Sequence, residues 1–433
     1  MSSEVSPSLI SRWFNTPLWR RILLALVLGV IVGAIWGEGA QSIRWIGDLF
    51  IRAIQMVVVP LVFITIVAGI VSMGDPKRLG SLGIKTLALY MGTTLIAISI
   101  GLTLAALLQP GIGVDMSSAV PGTLQPPVSF RDQLMRIVPT NPVAALANGD
   151  FLAIIFFAIL FGAGILSVGA AGKPMSDLMD SGAAIMLKLT GWVMEMAPFG
   201  VFALIAWVSG TQGVAALMDV IPLAGTAVLA FTLHFFLIYG GLMKLVLKLS
   251  PYNFFRDAKN ATLVAFSTSS SSATLPVTIS VAEKNLGIKP VIASTVLPLG
   301  ATINMDGSAI YVGVVSVFAA QAFGVDLTLV DYFIMAGATT LVSIGTAAVP
   351  GASVFLMAGV MATIGLTPAQ IAVVVGFVLP FDRPLDMMRT CLNVTGDLAV
   401  ATAVAKWENE FDEDMFNSGH AFVHPDADAS DSK

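Results

Sequence analysis

The chain has 433 residues, 56% hydrophobic and 11% charged, with a formal net charge of −5. A soluble globular domain carries about 25% charged residues, so this composition, with a mean hydropathy of +0.87, excludes an ordinary soluble protein and points to one membrane domain with little mass outside it. A single cysteine, Cys391, excludes an intramolecular disulfide and a cysteine-built metal cluster; the three scattered histidines give a haem or zinc enzyme little to build on, and no basic patch suits nucleic acid.

The first apolar run, from Ile22 to Trp36, follows Arg20 and Arg21. It lacks the short core and small-residue cleavage site of a signal peptide and is expected to remain as an anchor. A spanning helix needs about 20 mostly apolar residues. Stretches of that kind cover 17–37, 45–73, 82–108, 128–168 (broken), 180–208, 215–247, 262–282, 290–322, 331–363 and 367–405. Basic residues gather at alternate connections, among them Arg20, Lys77, Lys173, Lys244, Lys284 and Lys406. The opposite connections, 110–127, 209–218, 323–330 and 364–368, hold no Lys or Arg. Cytoplasmic loops carry the Lys/Arg excess, so both termini are expected in the cytoplasm of a multi-pass protein of the cell membrane.

Two stretches break the alternation. Residues 262–282 have basic residues at both ends and 331–363 at neither. Each is too short for two crossings at about 1.5 Å per helical residue. They read as two re-entrant hairpins, one from each side. Their tips mix small hydroxyl residues with a proline, Ser269 to Pro276 and Ser343 to Ala352. A serine run in a soluble chain is usually a flexible linker; within an apolar segment it reads as a tip buried in protein or facing water. A polar interruption follows each hairpin, Asn304-Met305-Asp306-Gly307-Ser308 and Asn393-Val394-Thr395-Gly396-Asp397. Hairpin plus broken helix, twice and from opposite sides, is an inverted repeat, which places a substrate site near the bilayer midplane.

The last span carries the chemistry. Asp386, Arg389, Thr390, Asn393 and Asp397 fall on one helical face. An Asp or Arg at mid-membrane costs about 2.5–3.5 kcal/mol on translocon scales. A structural ion pair, Asp386 with Arg389, is the plain explanation; ionisable groups inside a membrane are by default functional. Arg389 offers a planar fork for a carboxylate, and Asp386 a counter-charge for an ammonium. Thr390, Asn393 and the Ser271 region can complete the hydrogen bonds, which suits an amino acid with an extra carboxylate. Asp306 and Asp397, with Asn304, Asn393 and carbonyls freed at Gly307 and Gly396, are hard oxygen ligands for a small hard cation, sodium foremost. His234 reads as a helix–helix hydrogen bond. No nucleophile–base pair stands out, so the chain is not read as an enzyme.

The serine-rich tip, Asn304–Ser308, Ser343–Gly351 and Asp382–Asp397 together resemble the dicarboxylate/amino acid:cation symporter family, which includes the glutamate and aspartate transporters; the resemblance runs from the first span to about Lys406. It implies an all-α polytopic membrane protein of eight transmembrane helices plus two re-entrant helical hairpins. It also implies a homotrimer in the bilayer, with an elevator-type transport domain. Residues 1–250 would be mainly scaffold, apart from the third span at 82–108. Residues 251–408 would be the transport core and 409–433 an acidic cytoplasmic tail.

By position, Asp386 resembles the amino-group ligand and Arg389 the side-chain carboxylate ligand, with Thr390 and Asn393 on the backbone end of the substrate and Ser271 and Val349 at the tips. Asn393 and Asp397, with the carbonyls of Gly300 and Asn304, resemble one sodium site. Thr302, Ser343, Ile344 and Thr346 resemble a second, and Tyr90, Thr93, Thr94, Asn304 and Asp306 a third, with Met305 linking ions to substrate. Relatives often carry a second arginine where Ser269 or Met387 stands here. Ser308 replaces a frequent threonine and Ser353 a glycine that some relatives have; Arg383 can substitute for the missing arginine.

The expected activity is sodium-coupled symport of L-aspartate and/or L-glutamate, with no cofactor. The alternatives are a proton- or sodium-coupled C4-dicarboxylate or neutral amino-acid carrier and, from another class, an anion channel.

Overall fold

A computed structural model describes residues 16–72, 76–114, 116, 135, 137–211, 213, 218–344 and 351–418. Among these the chain is mostly helical, and its one β contact is an isolated bridge between Ile288 and Phe411. α1 (Leu18–Trp36) and α2 (Arg44–Ser72) are separated by a 3-10 turn, Gly37–Ile43. α3 (Pro76–Leu108) follows, then α4 (Pro142–Asn148) and α5 (Phe151–Ser167), α6 (Lys173–Met194) and α7 (Ala197–Thr211). α8 (Val220–Leu233) continues as wider π-helical turns at His234–Tyr239 and Leu242–Val246.

The C-terminal part contains α9 (Pro251–Thr268), α10 (Ser271–Lys284), α11 (Pro290–Ile303), α12 (Asp306–Ala322), α13 (Leu329–Ile344), α14 (Ala352–Thr363), α15 (Pro368–Val378), α16 (Asp382–Trp407) and α17 (Glu413–Ser418). The runs Leu82–Leu108, Val220–Val246 and Pro290–Ala322, and the longer run Arg20–Val71, have the length and apolarity to cross a membrane. Large apolar side chains stay exposed on the outer helices, Ile35, Trp45, Leu107 and Leu245 among them.

Local chemistry sets the boundaries. Asn141 accepts from the backbone N–H of Val143 and Ala144 at the start of α4, and Gly149 ends that helix in the left-handed conformation. Ser270 accepts from Ala273 N–H and starts α10, while Ser269 closes α9 at φ 51°. The two helices therefore fold back on each other at the serine run. Thr367 and Gln370 form a reciprocal capping box at α15.

Within the stretch 180–208, α6 and α7 meet at a 45° bend. One expectation needs correction. The stretch 367–405 is two helices joined by a 3-10 turn, Leu379–Phe381. α16 then runs unbroken through Gly396, so that glycine frees no carbonyl. Its absent side chain admits neighbours instead: a Cβ there would lie 2.6 Å from Asn304 Nδ2 and closer still to the Tyr239 hydroxyl. After α16 the chain folds back against the turn before α11. Asp412 N–H donates to Gly287 O at 2.8 Å, and the Phe416 ring is fully buried.

α12 and α16 form the interior. Nearly every residue of α12 is buried, and α3, α8, α13, α14 and α16 pack around it. The charged residues of α16 from Asp382 to Asp397 thus lie in the core. α1 packs along α7 through Gly29 and Gly33, a small-xxx-small face that lets helices approach closely. A Cβ on Gly33 would meet the Ala206 carbonyl and lie 2.8 Å from Ser209 Cβ. Gly33→Val is therefore expected to lower stability by about 1–3 kcal/mol through overpacking. Thermal unfolding of the purified protein in detergent checks this; an unchanged midpoint would contradict the close contact.

Candidate substrate and cation site

The first turns of α16 place Asp382, Asp386 and Arg389 on one face, since positions i, i+4 and i+7 recur at about 3.6 residues per turn. Arg389 is 1% exposed. Its Nη1 donates to Asp382 Oδ1 at 2.7 Å, and its Nη2 to Asp386 Oδ1 at 2.6 Å and Asp382 Oδ2 at 3.3 Å. The guanidinium also lies over the Tyr311 ring of α12, 4.1 Å from its centroid. Asp386 Oδ2 accepts from the backbone N–H of Gly351, just before α14, at 3.1 Å and from Arg383 Nη1 at 3.3 Å. Thr390 turns its hydroxyl back to the Asp386 carbonyl at 2.8 Å. The ion pair expected between Asp386 and Arg389 is present, and the fork engages a second carboxylate as well. An arginine that holds carboxylates in this way has the geometry for a free one.

Beside this cluster the α11–α12 run breaks at Asn304 and Met305, whose backbones leave the helical region. The carboxamide of Asn393, from α16, fits the break. Its Oδ1 accepts from Gly307 N–H at 2.8 Å and its Nδ2 lies 3.2 Å from Met305 Sδ. Asn304 Nδ2 donates to Asp397 Oδ1 at 3.0 Å and to the Asn393 carbonyl at 3.2 Å. Asn304 Oδ1 is buried without a hydrogen-bond partner among the described residues. A Cβ on Gly300 would lie 2.5 Å from Asp397 Oδ1 and against the Tyr90 hydroxyl. Gly300, Asn304, Asn393, Asp397 and Tyr90 are thus one cluster, rich in oxygen and short of cations.

Asp306, at the start of α12, is fully buried a short way off. Thr94 donates to its Oδ1 at 2.7 Å, Tyr239 to its Oδ2 at 2.8 Å, and His234 Nε2 lies 3.2 Å from Oδ2. His234 makes the helix–helix contact the sequence suggests, and its partner is a predicted cation ligand. In an α-helix residues 234 and 239 would point about 140° apart. The π-helical turn lets both reach the same carboxylate oxygen.

The other predicted residues divide. Ser269, Ser271, Ser308 and Ser353 are all buried. Thr93, Thr302 and Ser343 turn their hydroxyls to carbonyls of their own helices, Tyr90, Leu299 and Thr340. Ile344 is the last residue of α13, and Thr346 and Val349 lie outside the described residues. The residues read together as a second sodium site are therefore not joined by a described contact, whereas those of the first are. Sequence reasoning gave no role to Asp382, Tyr311 or Tyr239. Asp382 had a signal, its spacing of four from Asp386 and seven from Arg389. The tyrosines had none, because they act across helices.

The sodium:dicarboxylate symporter family model matches residues 18–407. The proton/glutamate-aspartate symporter of Bacillus subtilis (strain 168) is 37% identical over 398 residues, covering 90% of this chain and 95% of that protein. The proton/sodium-glutamate symport protein of Geobacillus stearothermophilus is 35% identical over 406 residues, 91% and 95% of the two chains. A C4-dicarboxylate transport protein of Bacillus subtilis (strain 168) is 33% identical over 404 residues, 91% and 94%. With matches of this extent, and with charged side chains gathered in the core of an all-α apolar protein, the chain belongs to the sodium:dicarboxylate symporter family.

Proposed function

We propose that this symporter carries L-aspartate and/or L-glutamate together with sodium. The observation that carries the reading is the buried juxtaposition of Arg389 with Asp386 on one face of α16. Arg389 takes the distal carboxylate and Asp386 the ammonium. Thr390 and Asn393 receive the backbone end, and Ser271 and Val349 close the pocket with Ser269, Ser308 and Ser353 in its wall. A C4-dicarboxylate offers nothing for Asp386 to bind, and a neutral amino acid nothing for Arg389.

Sodium is the co-transported ion. Asp397, Asn393, Gly300 and Asn304 supply one site; the orphaned Asn304 Oδ1 beside Asp397 supports it. Tyr90, Thr93, Thr94, Asn304 and Asp306 supply another, and Thr302, Ser343, Ile344 and Thr346 a third built on main-chain oxygens. Met305 stands between ions and substrate. The α9–α10 and α13–α14 pairs act as re-entrant hairpins from opposite sides of the membrane, in an inverted repeat. Eight helices span, both termini are cytoplasmic, and three copies associate in the bilayer. The transport core, 251–408 with α3, moves elevator-fashion against the scaffold. A proton-coupled version of the same transport is the second reading, favoured by the names of the Bacillus subtilis and Geobacillus relatives.

In proteoliposomes an inward sodium gradient is expected to drive uptake of labelled aspartate or glutamate, with succinate and serine competing weakly. Uptake driven by a pH step and indifferent to sodium would overturn the ion assignment. Arg389→Ala is expected to weaken acidic-substrate binding by the about 2–5 kcal/mol that truncating one partner of a buried charge pair costs; unchanged aspartate affinity would remove Arg389 from the site. Asp397→Asn is expected to raise the sodium concentration for half-maximal uptake by about tenfold, the factor given by 1.4 kcal/mol, and an unaltered sodium curve would count against that site.

A further inference from the structure

The proposed function assigns Arg383 no ligand, yet its side chain is only 7% exposed, one residue along α16 from Asp382. It donates through Nη1 to Asp386 Oδ2, at 3.3 Å, while Arg389 holds Oδ1 of the same carboxylate at 2.6 Å. The Gly351 N–H shares Oδ2 with Arg383. Arg383 Nε is buried without a hydrogen-bond partner among the described residues. A buried guanidinium with one long contact and an orphaned donor is poorly served by hydrogen bonding, so what it supplies here is charge.

Asp382, Arg383, Asp386 and Arg389 make two anions and two cations, and the buried cluster is balanced. Substrate upsets that balance. On the function proposed above, Arg389 turns to the distal carboxylate and Asp386 receives the ammonium. Asp382 then loses the contacts at 2.7 and 3.3 Å that neutralise it. A buried carboxylate stripped of its cation is strongly disfavoured, the more so next to an incoming anion.

We propose that Arg383 is a specificity-determining residue. Its fixed charge balances Asp382 while Arg389 is committed to the substrate, and so favours substrates with an extra carboxylate over zwitterions. Arg389 can stay on Asp382 when the substrate is a neutral amino acid, and Arg383 is then not called upon. The inference rests on Arg389 being the carboxylate ligand.

The test uses the full chain in proteoliposomes, with KM and kcat for aspartate and succinate and the inhibition constant of serine. Arg383→Gln is expected to raise the KM of the transported anion by about tenfold, the effect of losing one charge-assisted contact. The kcat and the serine constant should stay within about threefold, the scatter usual for single-contact effects. Arg383→Lys should keep most of the anion affinity. Adding Asp382→Asn to Arg383→Gln should restore it, because one anion leaves with one cation; lost packing would not be repaired in that way. Should Arg383→Gln fail to fold, Asp382→Asn alone decides, since its surplus positive charge should lower the anion KM. An unchanged anion KM in Arg383→Gln, a parallel loss of serine binding, or no rescue by Asp382→Asn overturns the proposal. Wild-type protein that carries succinate but not aspartate refutes the substrate reading, while the same variant ratios still judge Arg383. Wild type that carries neither anion refutes both.

Discussion

Arg389 carries a full positive charge where the protein leaves it 1% exposed, and the surrounding structure follows from how that charge is met. Two carboxylates one turn and two turns back along α16 hold its nitrogens at 2.6–2.7 Å, and the Tyr311 ring covers its face. Breaking a buried pair by removing one partner is costly, on the order of 3–5 kcal/mol. The partners must therefore be held in place. α12 has to come close enough to bring Tyr311 over the guanidinium, and Gly307 permits it: a Cβ there would lie 2.6 Å from the Arg389 carbonyl. A pair that is expensive to leave unmatched is also easily exchanged for a matching ligand. A free carboxylate can take the place of Asp382 or Asp386 on the fork without the arginine ever losing a partner.

The break between α11 and α12 is the second consequence. It lies beside α16, and Asn393 supplies the hydrogen bond that the first turn of α12 lacks. One side chain thus serves both the helix that holds Arg389 and the helix that holds Asp306. Its neighbours Asp397, Asn304 and Gly300 form a cluster with a carboxylate, a spare carboxamide oxygen and no described cation. On the proposed function, a sodium ion there would fix the same Asn393 that receives the backbone end of the substrate. Ion and substrate would then each favour the geometry the other needs, which is coupling by shared orientation rather than by direct contact.

Much of this was legible in the chain itself. The charged face of α16 follows from spacing alone and the break at Asn304–Met305 from polarity within a span, whereas Pro276, which reads as a breaker at the serine run, lies inside α10 and leaves that helix continuous. What stayed hidden depends on distance between helices. Gly396 reads as a helix breaker in one dimension; in three it is the gap through which Tyr239 and Asn304 approach α16. Tyr239 and His234 are five apart, a spacing that means nothing in an α-helix and puts both on Asp306 once the backbone widens to a π turn. Asp382 obeys the same periodicity as Asp386, but an amino acid has one ammonium and so calls for one anion, which leaves the second without a reason in the sequence alone.

That second anion changes what the site is. A receptor with one fixed cation and one fixed anion would be neutral and indifferent to which charge arrives first. The cluster here holds a second carboxylate on the cation, so on the proposed function a substrate must compete with Asp382 for Arg389 before it gains anything from Asp386. A zwitterion without a distal carboxylate has nothing with which to compete, and on that reading can be held only through Asp386. On the proposed function, selection for an extra carboxylate is then built into the empty state, as an internal occupant that only a like-charged ligand can displace.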